Sequence, residues 1–163
     1  SGELERGLVV VNHIMRRGRR LGGDIFQTVK RQVPLDLVGM GAEEAGGIGE
    51  VQHAQLPQFA ARYRFFFNPI RYTSMGLAVI EAMLAGLPIV GLATTEMATA
   101  IENGVSGYID TDVAKLTARM KELLADRSLA RHLGQGARRH ALERFNIDRV
   151  VRDWNAAFLG VTG

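Results

Sequence analysis

The sequence predicts an α/β fold, a mostly parallel sheet with helices on both faces. Short apolar runs rich in β-branched or aromatic residues alternate with helical segments over the first two thirds of the chain. That alternation implies crossover connections and strands buried on both faces. Nine of the 19 glycines, with Thr73, Ser74, Thr94 and Thr95, fall in the loops after strands, at 12–23, 39–50, 68–76 and 92–96. In parallel sheets ligands bind there, outside the carboxyl ends of the strands.

Each element has its own signal. Leu8 to Asn12 is an apolar, β-branched run and reads as a buried strand. Gly22, Gly23 and Asp24 start a helix with apolar Ile25, Phe26, Val29 and Val33 on one side. Pro34 stops it, because proline lacks an amide hydrogen and disfavours helix at the residue before it. Leu35 to Gly39 is the second strand, and the Gly- and Glu-rich segment 42–50 is an exposed loop, with a short strand expected over 48–51. Residues 55–61 form a short helix, and Tyr63 to Phe67 a strand ended by Asn68 and Pro69. A helix over 76–85 closes with Gly86 and Pro88 in the C-terminal order of glycine, then proline. Leu87 to Leu92 is a strand, 96–102 a helix, Asn103 and Gly104 a turn, and Ser106 to Ile109 the last strand. Three helices follow, over 113–125 with Asp112 as N-cap, 128–144 and 147–159.

The 163 residues suit one domain. There is no cysteine, which rules out disulfides and thiolate metal sites and suits a cytoplasmic location. The net charge of +3 fits an anionic ligand or an acidic surface. No apolar run is long enough for a transmembrane helix, and no signal peptide is visible. The chain begins Ser1-Gly2 without methionine. Those two residues read as a vector-derived remnant on a fragment whose preceding domain is missing.

Glu81 is the one charged residue between Tyr72 and Thr95. A carboxylate in such surroundings is expected to be at least partly buried, and burial demands donors. They are either the protein's own groups or hydroxyls of a bound ligand. The preceding loop carries Thr73, Ser74 and Gly76 into a helix start. Free amides and the helix dipole attract phosphate there, and Gly76 lets a ligand approach the backbone. Glu81, little more than one turn further on, is then placed to accept from both hydroxyls of a ribose.

Gly76 to Gly91, reading GLAVIEAMLAGLPIVG, resembles the donor-site signature of retaining GT-B glycosyltransferases of the glycogen-synthase-like, family 4 kind. Ile101 to Ile109, Val38-Gly39-Met40-Gly41 and the segment 145–158 resemble further parts of that family. The resemblance implies a Rossmann-like sheet, the C-terminal half of a GT-B enzyme whose acceptor-binding N-terminal domain is absent. It implies transfer of a hexosyl group from a nucleoside diphosphate sugar. Glu81 then matches the second Glu of the family's Glu-x7-Glu motif, on the donor ribose, and the backbone of Gly76 and Leu77 holds the diphosphate. The first Glu of the motif falls on Thr73, a departure that removes a charge from the sugar contact. The family's Gly-Gly-x-Pro-Glu loop is altered as well, to Thr94 through Thr99. The family places an Arg and a Lys in the loop after the first strand against phosphate; among Arg16, Arg17, Arg19 and Arg20, the choices are Arg16 and Arg20. His53 falls where the family packs the base, and His13 is a candidate to face the donor loop.

No metal and no cofactor are expected, since amides and arginines can stabilise the leaving diphosphate. Asp110-Thr-Asp112 has the spacing of a metal-binding Asp-x-Asp, but capping by Asp112 explains it. His132 and His140 read as surface residues, and Arg138-Arg139 as a solvated helix face. The basic loop lacks a recognition helix or stacking platform, so nucleic acid is not an expected partner. Peripheral membrane association of the whole enzyme is compatible with the sequence. Two rivals remain: a GT-B sugar-nucleotide epimerase or hydrolase, and a non-catalytic interaction domain that keeps the scaffold.

Overall fold

The computed structural model of the chain describes residues 2–15, 21–71, 77–93 and 97–144, with backbone only for His53, Leu77 and Thr99. Five strands form one sheet: β1 (Leu4–Val10), β2 (Leu35–Val38), β3 (Tyr63–Asn68), β4 (Ile89–Leu92) and β5 (Gly107–Asp110). Their order is β2-β1-β3-β4-β5, and every pair is parallel. The expected Rossmann-like α/β architecture is therefore the observed one.

Among the described residues six helices cover the sheet: α1 (Gly23–Lys30), α2 (Leu56–Ala61), α3 (Leu77–Leu84), α4 (Met97–Ala100), α5 (Val113–Ala125) and α6 (Arg127–Arg144). The core divides by face. On one, Ile25, Phe26 and Val29 of α1 and Leu116, Met120 and Leu123 of α5 pack on Val9, Leu37, Phe65 and Phe67. On the other, Val79, Ala82 and Met83 of α3 and Ala137 and Ala141 of α6 pack on Leu8, Phe66 and Ile89. Crossovers between parallel strands are right-handed. The connection from β1 to β2 runs one way along the sheet and that from β3 to β4 the other, so their helices lie on opposite faces. Every β3 residue is buried, which makes the aromatic run core. Truncating Phe65 or Phe67 to alanine should cost about 3–5 kcal/mol.

Some boundaries differ from the sequence reading. β1 starts at Leu4, four residues early, because its polar first half pairs with β3 at Leu4↔Tyr63 before a register shift at Gly7. Gly7 is required there: a Cβ would lie 2.4 Å from the Phe65 ring. No strand forms over 48–51. A single parallel bridge, Val38↔Gly49, replaces it, with Ile48 N donating to Leu37 O and Gly39 N to Gly49 O. Segments 42–45 and 53–55 are short 3-10 turns. Helix α5 has the expected bounds, and the Asp112 carboxylate caps it by accepting from Ala114 N at 2.9 Å. The helix expected over 147–159 lies outside the described residues.

Strand β5 ends the described sheet, and a turn plugs its outer edge. Ile109 N donates to Asn103 Oδ1 at 2.8 Å, and Gly104 N donates to Gly107 O at 3.0 Å. Those groups would otherwise template pairing with another strand. At the amino end of the sheet, Asp36 accepts from Arg6 Nη2 at 2.6 Å and from the Tyr63 hydroxyl at 2.5 Å. Burial alone would raise the Asp36 carboxyl, but these two donors outweigh it and hold it below the usual carboxylate range. Burial, and the bond it donates to Asp36, push the Tyr63 phenol above its ordinary value.

Candidate functional site

The strand order reverses between β1 and β3, so their carboxyl ends flank a topological switch point. In open parallel sheets that is where ligands bind. Segments 11–15 and 21–22 leave β1 on one side, and 69–71 leave β3 on the other.

The two segments are locked together. Gly22 has φ 76°, and a Cβ there would come within 2.0 Å of the Pro69 carbonyl oxygen. Only glycine allows that approach. Arg71 then reaches Asp24 in the first turn of α1, Nη1 to Oδ1 at 2.6 Å and Nη2 to Oδ2 at 2.8 Å. This fork of two parallel bonds fixes direction as well as distance. The Arg71 guanidinium holds the Asp24 carboxyl below its usual range. The chain leaving β3 is thus tied to the start of α1. Sequence reading misses this pair, because Asp24 looks like a helix-start acid and nothing local connects it to a residue 47 positions away.

A second interlock joins the ends of β1 and β2. Met40 N donates to Asn12 Oδ1 at 2.9 Å, and His13 N donates to Met40 O at 2.7 Å. His13 adopts φ 53°, the one non-glycine residue at positive φ among those described. Its Nδ1 is buried without a hydrogen-bond partner and packs against Gly41, where a Cβ would lie 3.0 Å away. Left-handed backbone in a branched-ring residue and an orphaned imidazole nitrogen both cost free energy. Strain of this kind clusters at functional sites, which keeps His13 a candidate.

Glu81 is the central element. It lies four residues into α3 and is 4% exposed, beside Leu8 and Val10 of β1, Phe66 of β3, Leu56 and Ala60 of α2, and Ala78 and Ala82 of α3. The expected burial is therefore observed. Leu77 begins α3, and His53 stands in the 3-10 turn before α2. Thr73, Ser74, Gly76, Arg16 and Arg20 lie outside the described residues. His140 is a correction: it is half-buried, with Nε2 enclosed and unpartnered, because it sits on the edge of α6 that faces the core. Among the described residues no group of three His, Asp or Glu side chains could hold a metal ion. Asp110 instead accepts from Asp112 N at 2.8 Å.

The comparisons with known proteins agree with this geometry. The family described as glycosyl transferases group 1 matches residues 23–126. D-inositol 3-phosphate glycosyltransferase of Salinispora arenicola is 40% identical over 80 residues, 48% of this chain and 18% of that protein. Sulfoquinovosyl transferase SQD2 of Arabidopsis thaliana is 27% identical over 96% of this chain and 32% of its own. The crystal structure of a TarM variant from S. aureus, in complex with fondaparinux, alpha-GlcNAc-glycerol and UDP, superposes with a TM-score of 0.73 at 16% identity. It covers 96% of this chain and 36% of that one.

Sheet order, switch point and helix placement define the class: the Rossmann-like, C-terminal type of domain found in GT-B glycosyltransferases. The chain belongs to the glycosyl transferases group 1 family. It spans about a third or less of the length of these curated relatives.

Proposed function

We propose that this chain is the donor-binding domain of a glycosyltransferase that moves a hexosyl group from a nucleoside diphosphate sugar to an acceptor, with retention. The observation that carries the reading is Glu81, a buried carboxylate one turn inside the helix that follows the switch-point strand. Its carboxylate accepts from the ribose hydroxyls. Backbone amides at 76–77 meet the diphosphate, and arginines at 16 and 20 reach it from the β1 side. As the glycosidic bond breaks, charge grows on the leaving diphosphate, and these preorganised donors stabilise it without a metal. Thr73 takes the position of the family's sugar-contacting Glu, Ser74 supplies a further hydroxyl donor, and His53 is the candidate for the base. UDP in the TarM crystal structure supports a nucleoside diphosphate as ligand.

The acceptor site and part of the catalytic machinery belong to an N-terminal domain outside this chain, consistent with its short coverage of its relatives. The fragment alone therefore binds donor and turns over little. The whole enzyme works on the cytoplasmic side, in carbohydrate biosynthesis. Thr73, which lacks the family's charge, favours one rival: a non-catalytic domain that keeps the scaffold.

Thermal unfolding with UDP, GDP and ADP tests the reading. Ligand at 100 times its dissociation constant should stabilise the fold by about 2.7 kcal/mol. The expected result is a rise in midpoint with one base, smaller for Glu81→Gln. Equal midpoints with every nucleotide at millimolar concentration would count against a donor site.

A further inference from the structure

Charge is distributed unevenly over this chain. Helix α6 holds five arginines and one glutamate, a net +4, while the whole chain carries +3, so the remainder is slightly negative. The helix is also fixed about its own axis. Ala130, Leu133, Ala137 and Ala141 face the core. Gly134 meets the Gly86 carbonyl and Gly136 the Val105 carbonyl so closely that a Cβ would come within 1.9 Å of either oxygen. Rotation is barred, and one face is held outward.

That face presents Arg131, His132, Gln135, Arg138, Arg139 and Leu142, all exposed. At about 100° per residue they share one sector. Arg131, Arg138 and Arg139 make no ion pair among the described residues. Arg127 continues the row but lies within electrostatic reach of Glu3, and Glu143 borders the sector at its far end. Leu142 is 48% exposed, one turn beyond Arg138 and Arg139 on the same face.

We infer that the outer face of α6 docks the protein on a membrane surface rich in anionic phospholipids. Three arginines held in a row meet lipid phosphates and match their negative surface potential. Leu142 gains from the boundary between headgroups and acyl chains, whereas a nucleic-acid backbone offers it nothing. The helix also has no Phe, Tyr or Trp on which a base could stack. Helix α6 packs on α3 at Gly86, the end of that helix farther from the switch point.

Vesicle co-sedimentation tests this with the 163-residue chain. The probes are phosphatidylcholine vesicles and equimolar phosphatidylcholine–phosphatidylglycerol vesicles, at low and physiological salt. The expected result is binding to the anionic vesicles alone, weakened by salt. Arg131→Gln/Arg138→Gln/Arg139→Gln should weaken it roughly 100-fold, as three arginines at the surface imply. Leu142→Ala should weaken it a few-fold. Arg31→Gln/Lys115→Gln/Lys121→Gln, which removes the same charge from other exposed positions, should stay within about twofold of wild type. Circular dichroism melts confirm that each variant is folded. Equal loss in both triple variants, no binding by wild type, or capture of an RNA duplex but not of vesicles would overturn the inference.

Discussion

Arg71 and Asp24 join the loop after β3 to the first turn of α1 through two parallel hydrogen bonds of 2.6 and 2.8 Å. The pair is partly solvent-exposed, and such pairs contribute little to stability. Its consequence is positional, because it holds the segment that enters loop 72–76. Asp24→Asn should cost only about 0.5 kcal/mol of stability, yet weaken nucleotide diphosphate binding by more than fivefold. Calorimetric titration beside a denaturant melt separates the two; equal effects on both would contradict a positioning role.

Gly22 and Gly86 provide an internal control. Both have positive φ, 76° and 82°, but a Cβ at Gly22 meets the Pro69 carbonyl at 2.0 Å and one at Gly86 meets nothing within 4 Å. Gly86→Ala should cost about 1 kcal/mol from backbone conformation alone. Gly22→Ala should cost at least ~3 kcal/mol and disturb ligand binding as well, because the two loops must part. Urea midpoints for the two variants give the comparison.

His13 holds a left-handed backbone that glycine adopts freely. His13→Gly should raise stability by about 1 kcal/mol, a midpoint rise of roughly 2–4 °C for a domain this size. The same variant should bind nucleotide diphosphate more weakly. A fall in midpoint would mean that packing of the imidazole on Gly41 outweighs the strain.

Asp36, Asp24 and Tyr63 shape the pH profile. Asp36 and Asp24 have depressed folded values, so their contribution is full above about pH 4, the unfolded value, and is lost as pH falls through the folded one. Tyr63 is raised, so its contribution is full below about pH 10 and is lost as pH rises through its folded value. Urea midpoints should fall on both limbs. Asp36→Asn should flatten the acid limb, and Tyr63→Phe the alkaline one.

The fold was legible because strand identity here rests on local composition. The Tyr63 to Phe67 run, the cap at Asp112 and the Gly86–Pro88 stop each act within a few residues. The polar start of β1 was not legible, because its pairing with Tyr63 is a tertiary fact that overrides composition. Glu81 was visible as a lone charge in an apolar stretch. Arg71 with Asp24 was not, nor was the backbone strain at His13, since both arise only when β1 and β3 bring distant loops to one edge.

The most direct test of the account is a thermodynamic cycle between Glu81 and the ribose. Calorimetry would compare wild type and Glu81→Gln, each against the tightest-binding nucleoside diphosphate and its 2′,3′-dideoxy form. Removing the hydroxyls or the carboxylate should each weaken binding, at least tenfold for wild type against the dideoxy ligand. Both changes together should do little more than one, because they remove the same hydrogen bonds. Fully additive losses, or an unchanged affinity in Glu81→Gln, would contradict the claim that this carboxylate reads the ribose.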